Sequence, residues 1–156
     1  MDNRKKHIIS ELENNLEDTI TFFRSMSPDE LSVQVYQDGA QWTVKLVLAH
    51  FVTIERSMQW LFKDILSGGQ GSPEDFDVER FNRTQPRKLD GLTIDELVEQ
   101  FKSIREGTIS IVRKMSENDL DREGRHAFQG HGKLERFIQW AYEHVQIHLK
   151  DIQNAL

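Results

Sequence analysis

The sequence predicts an all-α protein folded as a four-helix bundle, and three observations carry that expectation. Four segments repeat apolar residues with the period of a helix, while almost nothing alternates with the period of two that marks a strand. Two capping boxes, Ser27 with Glu30 and Thr93 with Glu96, mark places where helices begin. Chain-breaking residues collect between the periodic segments: the stretch 67–93 holds two of the three prolines and four of the nine glycines. Four amphipathic helices can each bury one stripe only against the others, so a bundle around one core is the default.

The first helix is expected from Asn3 to Arg24, with Ile8, Ile9, Leu12, Leu16, Ile20 and Phe23 on one stripe. Ser27 then opens a short helical turn in which Pro28 takes the first position, where a missing N–H costs nothing. The second long helix is expected from Thr43 to Leu66, stopped by Gly68 and Gly69. The third runs from Thr93 to Met115 and the fourth from Lys133 to Ile152. The connection 67–93 is far longer than an antiparallel pair needs. A helix of this length spans about 36 Å, and an extended crossover can return over that whole distance. The third helix is therefore expected to run parallel to the second, giving an up-down-down-up bundle; the alternative is a structureless surface loop.

Composition narrows the chemistry. A chain of 156 residues is expected to form a single domain over 1–156. With no cysteine, disulfides, thiolate ligands and a thiol nucleophile all drop out, leaving His, Asp and Glu as metal ligands. The net charge of −6 is spread along the chain, so no nucleic acid is expected as partner. The apolar runs are too short for a membrane span, and the N-terminal stretch lacks the apolar centre of a signal peptide, so no membrane partner and a cytoplasmic location are expected. A homodimer is the expected assembly, because small bundles expose apolar surface.

The candidate site begins with His144 and His148, four residues apart in the fourth helix. That spacing separates two side chains by about 40° and about 6 Å, so both imidazoles can reach one ion. A third donor is needed. His50 lies on the apolar stripe of Leu46, Val47, Ile54, Met58 and Leu61. In an up-down-down-up bundle the second and fourth helices are antiparallel, and His50 then falls within roughly 2 Å of the level of the pair; in a simple up-down-up-down bundle the levels miss by nearly ~10 Å.

The segment WTVKLVLAHFVTIE, the long connection and the C-terminal FIQWAYEHVQIHLKDI together resemble the DinB/YfiT-like superfamily of four-helix-bundle metalloenzymes, over about residues 5–154. The resemblance implies His50, His144 and His148 as metal ligands, the same up-down-down-up topology, a dimer and, for some members, transfer chemistry that depends on a low-molecular-weight thiol. In the mycothiol-dependent maleylpyruvate isomerases of this superfamily a glutamate stands where this chain has His144, so the chain departs from that pattern there.

Three neutral nitrogens would leave a divalent ion its full charge and an open position, the pattern of a catalytic site. Zinc, nickel, iron and manganese all suit imidazole ligands. The zinc-protease helix motif needs glutamate directly after the first histidine, and this chain has Val145. The expected function is a metal-dependent, thiol-dependent transferase acting on a small-molecule substrate. A metal-dependent hydrolase and a non-catalytic metal- or ligand-binding protein of the stress response are the alternatives. Asp151 is a candidate to orient His148 and equally a solvent-facing acid; His131 is a candidate to reach the mouth of the bundle, but reads first as a solvated loop histidine. His126 and His7 have no evident partner, Glu55 points about 140° away from His50, and Trp42, Trp60 and Trp140 read as packing residues.

Overall fold

The computed structural model describes residues 3–156; Met1 and Asp2, which open the expected domain and its N-terminal stretch, lie outside the described residues. Four long helices dominate: α1 (Arg4–Arg24), α3 (Val44–Leu66), α5 (Ile94–Lys114) and α6 (Leu134–Ala155). Between them come two short helices, α2 (Pro28–Leu31) and α4 (Val78–Thr84), two 3-10 turns and a small antiparallel hairpin of β1 (Glu123–His126) and β2 (Gly130–Lys133). The starts follow local chemistry. Both predicted capping boxes form, and the Thr43 hydroxyl accepts from the amide of Leu46 to open α3.

Side-chain pairings fix the directions of the helices. Arg24 bonds Glu99, Arg113 bonds Glu13 and Lys5 reaches the carbonyls of Arg113 and Met115, so α1 and α5 are antiparallel. Lys45 reaches the Asp90 carbonyl, Glu55 meets Arg105 and Gln59 meets Thr108, so α3 and α5 run the same way. Arg4 pairs with Glu135 at the starts of α1 and α6, which are parallel. The bundle is therefore up-down-down-up, with the long crossover joining the two parallel helices.

The core has two apolar layers. One gathers Ile8, Leu12, Met58, Phe62 and Phe137; the other gathers Phe23, Val47, Phe51, Phe101 and Val145. Between them lies a buried polar network. Arg105 on α5 is wholly enclosed; its Nε and Nη2 donate to the Glu55 carboxylate on α3, its Nη1 to the Leu12 carbonyl and Asn15 on α1, and its Nη2 also to the Ala141 carbonyl on α6. Thr108 donates a further bond of 2.8 Å to Glu55.

Two stretches differ from the expectation of helices joined by plain loops. The crossover is built rather than structureless: it carries α4 and the 3-10 turn Pro86–Leu89, which packs on α3. Its start is pinned to β1, where Arg125 donates to the Gln70 carbonyl and accepts from Ser72. The hairpin at 123–133 is strand where none is legible, because each strand is four residues long and rich in glycine. A third irregular segment, residues 32–43, folds back on itself before α3, with Val35 N–H donating to the Trp42 carbonyl and Val44 N–H to that of Val33. We refer to it as the strap. At its tip Gly39 and Gln41 both adopt positive φ, of 65° and 53°.

Candidate metal centre

The topology brings the three predicted histidines together. His50 projects from α3, and His144 and His148 from successive turns of the antiparallel α6. His144 Nε2 lies 3.0 Å from His50 Nε2 and 2.9 Å from His148 Nε2, and the three donor atoms form a group that can hold one metal ion. These separations fall a few tenths of an ångström below the ~3.3 Å edge of a tetrahedral shell with zinc-nitrogen bonds of about 2.0–2.1 Å. Small ring movements therefore suffice for the residues to fit such an ion.

Aromatic rings hold the imidazoles in place. Trp42, on the strap, stacks on His50 with centroids 4.2 Å apart, and Trp140 stacks on His144 at 4.3 Å. Phe51 lies against both His144 and His148. The Tyr36 hydroxyl sits 2.5 Å from His148 Nδ1 and donates to Asp151 Oδ2 at 2.7 Å. Asp151 thus reaches His148 through Tyr36 rather than directly. Burial, followed by repulsion between the imidazoles, holds His50 and His144 well below the ordinary histidine range. Burial also lowers His148 to about 4, with the Asp151 charge opposing that shift. All three rings are accordingly neutral at pH 7, the form that ligates metals.

A cavity of about 350 Å³ adjoins the cluster. Tyr36, Gly39 and Trp42 of the strap form one side, Glu79 and Arg83 of α4 another, and His148 faces it from α6. The crossover therefore supplies a wall of the site as well as the direction of α5.

The other histidines lie elsewhere. His126 is buried, and its Nδ1 accepts from the amides of Phe128 and Gln129, closing the hairpin turn. Its ring packs against Trp140, which in turn stacks on His144, so it stands behind the centre and not in it. His131 is exposed on β2 and lines a separate cleft with Trp60 and the glycine turn 68–71, away from the histidine cluster. His7 is exposed on α1. Glu55 is turned to Arg105, as its angle from His50 predicts. Trp60 is 57 % exposed, so only two of the three tryptophans pack as expected. Tyr36 was invisible to motif reasoning. The one signal near it is the brief alternation of Val33 and Val35, which marks an extended segment in front of α3.

Among known proteins, the family model of the DinB superfamily matches residues 11–152. No curated protein matches the chain. Solved structures share the fold, among them the following two. YfiT from Bacillus subtilis, described as a probable metal-dependent hydrolase with an unusual four-helix bundle topology, superposes with a TM-score of 0.81 at 15 % identity, covering 99 % of this chain and 87 % of that one. The colibactin self-resistance protein ClbS, solved in complex with a dsDNA, superposes with a TM-score of 0.71 at 13 % identity, covering 97 % and 96 %. ClbS corrects the exclusion of nucleic acid as a partner class, since a protein of this fold holds duplex DNA. Net charge averages a whole surface, whereas DNA contact needs only a local cationic face. This acidic chain itself carries Arg80, Arg83, Arg87 and Lys88 exposed within nine residues of the crossover. No helix among the described residues is long and apolar enough to cross a membrane. With the family pattern spanning the bundle from the middle of α1 almost to the end of α6, the chain belongs to the DinB superfamily.

Proposed function

We propose that the protein is a metal-dependent hydrolase acting on small molecules, with His50, His144 and His148 holding one divalent transition ion. The observation that carries this reading is the meeting of three neutral Nε2 atoms beside a cavity of about 350 Å³. The description of YfiT as a probable metal-dependent hydrolase supports it. Zinc, nickel, iron or manganese would each be accepted by three imidazoles. When bound, such an ion would supply Lewis acidity and lower the pKa of a coordinated water or thiol. The chain's own residues do the rest. Trp42 and Trp140 cover the faces of His50 and His144 and keep water off them. Glu79 and Arg83 offer one charge of each sign to a substrate in the cavity.

The volume also bears on the thiol-dependent transferase that the family resemblance implies. A cavity of about 350 Å³ is near the lower end for small-molecule sites and suits one small substrate. Thiol transfer has to seat two organic reactants, and because the cavity opens to solvent the second would extend beyond it.

Tag-free protein should carry near-stoichiometric metal by elemental analysis, and alanine at any of the three histidines should remove it. Full occupancy in all three variants would overturn the centre. Cobalt-substituted protein then separates the chemistries. Hydrolysis predicts turnover of small esters or amides without added thiol. If bacillithiol, mycothiol, glutathione or coenzyme A instead perturbs the cobalt spectrum and is required for turnover, the protein is a transferase.

A further inference from the structure

The three imidazoles of the centre are not held alike. The Nδ1 atoms of His50 and His144 are buried and have no hydrogen-bond partner among the described residues, whereas His148 Nδ1 has one at 2.5 Å. The identity of that partner decides the proton positions. A carboxylate only accepts, so the single hydroxyl proton of Tyr36 goes to Asp151 Oδ2, 2.7 Å away. The phenolic oxygen then has only lone pairs to offer His148. A contact of 2.5 Å between that oxygen and Nδ1 is a hydrogen bond only if Nδ1 carries the proton. A neutral imidazole has one N–H, so His148 Nε2 is bare, and it is Nε2 that faces His144 at 2.9 Å.

The strap fixes the hydroxyl in place. Tyr36 is held within it by the Val35 backbone N–H, which donates to the Trp42 carbonyl, and by the Gln34 side-chain Nε2, which donates to the Tyr36 carbonyl. The Tyr36 ring stands edge-on to Trp42, with centroids 6.1 Å apart, and Trp42 stacks on His50. Asp151 follows His148 by three residues on α6, which sets both on the same face of the helix. One short segment before α3 thus reaches two of the three imidazoles, one by stacking and one by a proton.

We infer that Tyr36, anchored by Asp151, is a positioning residue that locks His148 in the Nδ1–H tautomer and so presents its Nε2 as a ready-made ligand. The inference rests on the reading of the three histidines as a metal centre, but its first test needs no metal. Histidines hydrogen-bonded through Nδ1 to a group beyond the metal have their basicity and orientation set by it, and losing such a partner costs about 10–100-fold in metal affinity.

The experiment begins with metal-free, ¹⁵N-histidine-labelled protein at pH 7.5, where two-bond proton–nitrogen correlations distinguish the tautomers. Wild type should show His148 as Nδ1–H. Tyr36→Phe should lose that preference, because Nδ1–H then has no acceptor while Nε2–H can still donate to His144. Asp151→Ala keeps the hydroxyl but frees its proton to point at Nδ1, and should move His148 toward Nε2–H. Zinc affinity, measured by chelator competition, should fall about 10–100-fold in Tyr36→Phe with the helical circular dichroism unchanged. His148 found as Nε2–H in wild type, or a tautomer and zinc affinity unchanged in Tyr36→Phe, would overturn the role. His50→Ala reports separately on the metal centre: undiminished zinc binding there would remove the centre while leaving the tautomer result standing.

Discussion

Arg105 shows how far one residue can organise this bundle. Its guanidinium sits on α5 and bonds groups on α1, α3 and α6, with side-chain exposure of 0 % for Arg105 and 2 % for its partner Glu55. An ion pair so enclosed adds little over an apolar pair, but removing one partner leaves a stranded charge. Glu55→Ala should therefore destabilise the protein by about 3–5 kcal/mol in urea unfolding. Glu13→Ala, which breaks the exposed pair with Arg113, should cost no more than about 1 kcal/mol. Equal costs would show that burial is not what makes the core pair matter. His126 gives a pH-dependent counterpart. Burial lowers it from the ordinary 6.5 to about 4, so between those values the unfolded chain takes up a proton that the folded chain refuses. Stability due to this residue is complete above pH 6.5, declines as pH falls toward 4 at no more than ~1.4 kcal/mol per unit, and changes no further below that. His126→Asn, whose side-chain oxygen can still accept from the turn amides, should flatten the wild-type curve across that window. Parallel curves would mean that His126 does not titrate there. At this scale the three clustered histidines were legible because spacing and helix level are periodic quantities. Arg105 was not read from the sequence, although it stands as a charge on the apolar stripe between Phe101 and Ile109, because its partners lie on three other helices. Tyr36 was not legible, since its role depends on where the strap lies in space.

Among the elements, the long helices could be placed to within a few residues, because caps and apolar period are both local. The hairpin and the internal structure of the crossover could not, because tertiary contacts create them. Leu134 N–H donates to the Arg122 carbonyl across the hairpin, and Gly71 forms a parallel bridge to Arg125. Gly71 is the point where the crossover is tied down. Its φ is 89°, and a Cβ there would stand 2.4 Å from the Arg125 carbonyl oxygen, a backbone atom that cannot swing away. Gly91, near the end of the same crossover, has open space around it and no positive φ. Gly71→Ala should therefore cost about 1–3 kcal/mol, while Gly91→Ala should be near neutral or slightly stabilising. The urea midpoints of the two variants compare them directly. A harmless Gly71→Ala would mean that the bridge to β1 is not what orders the start of the crossover.

For the whole molecule, topology and site depend on each other. His50 is carried by a helix running opposite to α6, and its level meets that of His144 and His148 only because the crossover lets α3 and α5 run in parallel. An ion held by the three imidazoles would cross-link α3 to α6, two helices far apart in the chain, and would bind the folded state alone. Any such ligand stabilises by about 2.7 kcal/mol at a free concentration of one hundred times its dissociation constant. For a protein of 156 residues that corresponds to a rise in Tm of about 5–10 °C. Zinc added to metal-free protein should produce this rise and a chelator should reverse it. His50→Ala should unfold at a temperature that zinc no longer moves, even though His144 and His148 remain side by side on α6, because two ligands on one helix clamp nothing across the bundle. If zinc raises the Tm of His50→Ala as much as that of wild type, the ion binds elsewhere and the coincidence of levels serves packing alone.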